Sequence, residues 1–122
     1  MGFIIDAIFQ LIFTAVIASD LEAGLSAMEQ KDYATASAKF HSAAQQGNAR
    51  AQSNLGVLYF EGQGVARDYV RSHMWSNIAA VGGDKASVKA RDTAASKMTA
   101  QQIEQAQRMA RECMASNFKK CD

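Results

Sequence analysis

Two stretches of this chain repeat one another at a fixed offset, and that repetition restricts the fold more than any other feature. Aligning residues 32–47 (DYATASAKFHSAAQQG) with 68–83 (DYVRSHMWSNIAAVGG) matches Asp32 to Asp68, Tyr33 to Tyr69, Ala43 and Ala44 to Ala79 and Ala80, and Gly47 to Gly83, all 36 residues apart. Upstream, Gly24 pairs with Gly56 at an offset of 32, so the second unit carries a four-residue insertion in its turn, around Gly62 to Val65. Each copy reads as helix, turn, helix. A period in this range marks a stack of hairpins, each burying an apolar face only against its neighbours.

The retained positions have physical reasons. Glycine inside a helix costs about 1 kcal/mol against alanine, so Gly24 and Gly56 imply close approach of a partner helix, with Ala43–Ala44 and Ala79–Ala80 expected to make the same contact from the other side. Asp32 and Asp68 are placed as N-caps, and Gly47 and Gly82–Gly83 suit helix ends. Tyr33, Phe40, Tyr69, Met74, Trp75 and Ile78 fall at helical spacings as a buried wedge. Proline is absent and valine and isoleucine are sparse after residue 20, which disfavours a sheet. These features predict an all-α chain, with a first hairpin over 20–47, a second over 48–83, and a third helix and cap over 84–122.

Residues 3–18 (FIIDAIFQLIFTAVIA) are almost wholly apolar. Val16 and Ala18 are small residues where a signal peptidase reads, so cleavage after Ala18 would leave 19–122 as the mature domain. The run is short for a bilayer, which needs about 20 apolar residues. A signal peptide also calls for a basic start, yet the first basic residue is Lys31. The other readings are an uncleaved anchor, or a capping helix that turns Asp6, Gln10 and Thr14 to water and packs its remaining face on the repeats.

At the other end, Asp84 is placed to cap a helix over about 85–97, and Thr99 with Gln102 forms a capping box. The helix behind it carries Ile103, Ala106, Met109, Ala110 and Cys113 on one side, a suitable cover for the last open face of a stack. Cys113 and Cys121 are eight apart. In one straight helix that is about 12 Å, too far for a disulfide, so bonding requires the chain to turn back near Ser116–Asn117. An oxidising compartment favours the bond and a cytosolic one two free thiols.

Residues 51–83 resemble a Sel1-like repeat. Ala51, Leu55, Gly56, Tyr59, Gly62, Gly64, Val65, Asp68, Tyr69, Trp75, Ala79, Ala80 and Gly83 match the family pattern, while Ser72 stands where the family has alanine. The upstream copy, with Gly24, Ala36, Phe40 and Ala43, is closer to the related tetratricopeptide pattern; Lys39 stands where tryptophan is frequent. The resemblance spans about residues 20–98. It implies an α/α right-handed superhelix of antiparallel helix pairs with a C-terminal capping helix, used to bind proteins or peptides. Asn54 matches the position where tetratricopeptide domains hold a peptide backbone or carboxylate, and an amide can both donate and accept. Arg50, Val57, Phe60 and Glu61 lie on or near the same face, giving a peptide-binding set of Arg50, Asn54, Val57, Phe60 and Glu61.

Other chemistry has little to stand on. The net charge of +1, with acids and bases interspersed, argues against a nucleic-acid partner. His41 and His73 lack the spacing of a metal site and read as partly exposed structural residues. Ser116 to Lys119 spells S-x-x-K, the acylation motif of penicillin-interacting serine enzymes, and some cysteine-rich Sel1-like proteins are linked to penicillin binding, but its companion motifs are missing. Gly62-x-Gly64 is a turn between helices and not a phosphate loop. The leading expectation is a monomeric periplasmic or secreted bacterial adaptor for a protein or peptide, with no cofactor, metal or catalytic residue. The alternatives are a penicillin-binding or β-lactamase-type hydrolase and a structural domain anchored in the inner membrane by residues 1–18.

Overall fold

The computed structural model describes the backbone of residues 2–122 and, apart from residues 2–6, 9 and 13–18, their side chains. The described chain is all-helical: α1 (Gly2–Glu29), α2 (Tyr33–Gln45), α3 (Ala49–Glu61), α4 (Tyr69–Val81), α5 (Ala86–Ala95) and α6 (Ala100–Ala115). Helices neighbouring in sequence pack as pairs, α1 on α2 and α3 on α4, with α2 against α3 joining the pairs. The helix starts follow the sequence signals. Asp32, Asp68 and Thr99 each accept an amide of the first turn, and Thr99 with Gln102 completes the capping box. Asp84 instead sits two residues ahead of α5, where its carboxylate accepts the Ser87 hydroxyl at 2.6 Å, and α5 is shorter than expected at both ends.

The two glycines inside helices occupy equivalent places. A Cβ built on Gly24 would lie 2.5 Å from the Phe40 ring on α2; one built on Gly56 would lie 2.6 Å from Ser76 Oγ and 3.3 Å from the Ser72 carbonyl on α4. Phe40 and Ser76 are themselves 36 residues apart, so the contact repeats with the sequence. The nearest atoms belong to Phe40, Ser72 and Ser76, and not to the expected Ala43–Ala44 and Ala79–Ala80. Among these four, Ala43, Ala44 and Ala79 are fully buried elsewhere in the core, one or more turns further along α2 and α4. The first unit places an aromatic ring against its glycine, and the second a hydroxyl and a backbone carbonyl.

Trp75, Phe40, Leu55, Leu58, Met74 and Ile78 form the buried centre. Of the expected wedge, Tyr33 and Tyr69 are only half-buried, because each is the first residue of its helix and its ring lies at the edge of the stack. Two further contacts join the hairpins. Gly64, in the inserted turn, lies against the Tyr33 carbonyl so closely that any side chain would overlap it. Gln52, buried on α3, donates from Nε2 to the Ala44 carbonyl at 3.1 Å, satisfying an acceptor at the end of α2.

The first helix runs unbroken through residues 18 and 19. It is tied to α2 through its C-terminal half, where Asp20 accepts the Ser42 hydroxyl at 2.7 Å and pairs with Lys39 at 3.8 Å. Ile8, Leu11 and Ile12 are exposed, and the other apolar side chains on which a packed capping helix would rest lie outside the described residues. The cleavage point after Ala18 rests on side chains outside the described residues. Among the described residues no helix is long and apolar enough to cross a membrane.

The C-terminal cap takes an unexpected course. α5 packs on α4, but α6 also packs on α4 instead of extending the stack beyond α5. Its Ala106, Ala110 and Cys113 are buried there. Asn117 (φ 55°) and Phe118 (φ 64°) then adopt left-handed backbone and reverse the chain, as the sequence required for bonding. Cys113 and Cys121 form a disulfide with Cα atoms 4.3 Å apart.

Two outcomes test this packing. Gly56→Ala should destabilise the protein by about 1–3 kcal/mol in urea denaturation, despite the gain of about 1 kcal/mol in helix propensity. Ser76→Ala, which removes a buried hydroxyl without a partner, should be neutral or stabilising and should recover part of the Gly56→Ala loss. A Gly56→Ala chain as stable as the parent would contradict the close approach of α3 and α4. Replacing both cysteines by serine should cost about 2–3 kcal/mol by loop-closure entropy, and the parent should show no reactive thiol in native titration.

Candidate functional site

The residues singled out on α3 separate into two groups. Val57, Phe60 and Glu61 line a cleft of ≈ 300 Å³, together with Ala86, Lys89, Ala90 and Thr93 of α5 and a floor of Gly56 and Ser72. The absence of a side chain at Gly56 keeps that floor low. Val57 is 40% exposed. Phe60 is held by Tyr69, their rings 5.3 Å apart, so it forms a fixed wall. Glu61 and Lys89 place opposite charges among the lining residues.

Arg50 and Asn54 do not line this cleft. They lie earlier on α3, where Asn54 Nδ2 donates to the Arg50 carbonyl of its own helix at 3.0 Å. One of the amide's functions is thereby used locally, leaving its oxygen as an acceptor. The α5 side chains Lys89 and Thr93 belong to the cleft but went unnoticed in the sequence. Their segment has no repeat partner, and only its packing on α4 sets them across from Val57.

The two histidines differ. His73 is 3% exposed, contrary to the expectation of a partly exposed residue, because α5 packs over this side of α4. Burial, reinforced by the Arg91 charge and opposed by Asp92, pushes its pKa down and favours the neutral ring. His41 is half-buried, its ring edge-on to Trp75 at 5.9 Å, and its Nε2 lies 2.8 Å from the Asp122 carboxylate. Among the described residues no group of three or more His, Cys, Asp or Glu side chains could hold a metal ion.

Ser116 sits at the C-cap of α6. Its hydroxyl donates to the Cys113 carbonyl at 2.9 Å and accepts the Lys119 and Lys120 amides at 3.2 and 2.9 Å. The S-x-x-K spelling thus coincides with a capping turn, in which the serine oxygen satisfies the reversed backbone.

A second constellation was not foreseen. The disulfide returns the tail across the second helices of both hairpins, and Asp122 meets His41 from α2 and Arg71 from α4, with Arg71 Nε at 3.5 Å. Arg71 is already held by Asp68 at 2.7 Å. The hydrogen bond from His41, then the nearby charges of His41 and Arg71, hold the Asp122 carboxyl below the usual aspartate range against the opposing effect of burial. Histidine, arginine and aspartate so far apart in sequence give no local signal.

Comparison with protein-family models, with curated proteins and with solved structures gave no match to this chain.

The Asp122 contacts make stability depend on pH in a definite direction. A carboxyl whose pKa is lower when folded than when unfolded stabilises the fold above its unfolded value, and that contribution is lost as pH falls from about 4 through the folded value. Asp122→Asn should flatten this part of the acid-unfolding profile while leaving the slope set by other carboxylates. An unchanged profile would show that the carboxylate is not held by His41 and Arg71.

Proposed function

We propose that this chain is a small exported helical-repeat adaptor of the Sel1-like kind, which binds a peptide or protein segment in the cleft between α3 and α5. The right-handed superhelix of that family is the arrangement this reading assigns to its hairpins. Three features support it: a glycine contact that recurs with the sequence period, antiparallel helix pairs, and a disulfide, which persists in oxidising compartments such as the periplasm or the extracellular space.

The observation that carries the binding role is the cleft itself. Its wall of Val57 and Phe60 over a glycine floor can take one apolar side chain, while Glu61 and Lys89 can meet the polar backbone or charged neighbours of the same segment. Arg50 and the free oxygen of Asn54 extend the contact along α3 toward its N-terminus. The partner is then a segment with one apolar anchor and polar flanks, running along α3.

Immobilised parent protein should capture its partner from periplasmic extract, and Val57→Glu should reduce capture at least tenfold with no fall in melting temperature. Arg50→Glu and Asn54→Ala should weaken it less. Equal capture by the parent and Val57→Glu chains would remove the cleft from the interaction.

A further inference from the structure

The tail constellation has the form of a ligand site filled from within. Three helices converge on the Asp122 carboxylate. His41 comes from α2, Tyr59 from α3 and Arg71 from α4, while Asp122 arrives on the strap closed by Cys113–Cys121. His41 also lies edge-on to Trp75, and Arg71 is also held by Asp68, so each donor has a contact that does not involve the tail. The carboxylate borders an open cleft of ≈ 450 Å³, whose lining includes Val65, Ala66, Arg67, Asp68 and Arg71 together with Tyr59 and Asp122 itself. Arg67 stacks over the Tyr69 ring at 5.3 Å and has no carboxylate partner among the described residues. A structural ion pair has no need of a vacant cleft beside it or of a second, uncommitted guanidinium at its rim.

We propose that His41 and Arg71 form a carboxylate-binding site for an acidic peptide segment of a partner, occupied in cis by Asp122, with Arg67 in the adjoining cleft receiving a second acidic side chain. The ligand is a segment with two neighbouring carboxylates. The first replaces Asp122 between His41 and Arg71; the second enters the cleft and pairs with Arg67. Charge complementarity favours this occupant: once the tail leaves, Arg67 and Arg71 face Asp68 alone, and the site carries a net positive charge. Tethering sets the competition. A short disulfide-closed loop presents Asp122 at an effective concentration of about millimolar or above, so the strap excludes weak ligands and yields to those that also engage Arg67. Opening the disulfide lengthens the tether and lowers that concentration. This site is separate from the α3–α5 cleft and does not depend on it.

The test uses the full oxidised chain and the peptide acetyl-Gly-Asp-Asp-Gly-amide, with acetyl-Gly-Asn-Asn-Gly-amide as control, followed through the NMR signals of the His41 imidazole and the Arg71 and Arg67 guanidinium groups. Asp122→Ala should bind the acidic peptide at least tenfold more tightly than the parent. The asparagine peptide should bind the variant roughly tenfold or more weakly than the acidic one, as expected for loss of charge-assisted hydrogen bonds. Adding Arg71→Gln to Asp122→Ala should abolish the gain, and adding Arg67→Gln should lower affinity for the two-aspartate peptide but not for a one-aspartate peptide. The parent chain with its disulfide reduced gives a second reading without any substitution, and it should bind more tightly than the oxidised parent. Equal binding by the parent and Asp122→Ala, equal binding of the two peptides, or no gain on reduction would each overturn the proposal. So would a dimer of the parent held by exchanged tails, since the occupant would then be a second copy. Capture through Val57 should be unaffected by Asp122→Ala, which keeps the two sites distinguishable.

Discussion

A helical glycine lying against the facing helix sets the geometry of both hairpins. At Gly24 the neighbour is the ring of Phe40, and at Gly56 it is the hydroxyl and backbone of α4. Glycine weakens a helix by about 1 kcal/mol, and contact between closely spaced helices offsets that through dispersion and excluded water. Because the contact recurs at the sequence period, the second hairpin is the first with different filling. The consequence reaches the cleft directly, since Gly56 and Ser72 are its floor, and a side chain at residue 56 would raise it.

The fourth helix is the element on which the remainder closes. It meets α3, α5 and α6, and nearly every residue from Ser72 to Ala79 is buried. Burial so complete leaves polar atoms without partners among the described residues: His73 Nδ1, Trp75 Nε1 and Ser76 Oγ. Each carries a desolvation cost, and surrounding packing must offset it. The disulfide acts on the same helix from the other side. By turning the tail back at Asn117 and Phe118, it returns Cys121 to the core and delivers Asp122 to His41 and Arg71.

The two clefts therefore open on opposite consequences of one arrangement. Packing α5 across α4 creates the lining shared by Val57 and Lys89, whereas drawing the tail over α2 and α4 creates the carboxylate site. The first has a fixed wall of Val57 and Phe60 over a low floor of Gly56 and Ser72, suited to an apolar anchor. The second has two fixed donors and a removable acceptor, suited to exchange.

Much of the fold was legible in the chain because it rests on local and periodic signals. Asp32, Asp68, Thr99 and Gln102 cap helices wherever they stand before a run of helix formers, and spacing alone placed Gly24 and Gly56 against a partner. Cys113 and Cys121 required a reversal, and the reversal is there. The shared face of Val57, Phe60 and Glu61 was legible from their helical spacing, and they line one cleft, while Asn54 turns to the backbone of its own helix. What the sequence alone determined is the set of helices, their pairing and the residues at their ends, since these depend on neighbours a few positions away or one period apart. The identity of the buried partner of each glycine, the burial of His73, the contribution of Lys89, and the meeting of His41, Arg71 and Asp122 were decided by tertiary structure. They depend on how α5, α6 and the tail lie across α4, and those segments have no repeat partner from which their position could be read.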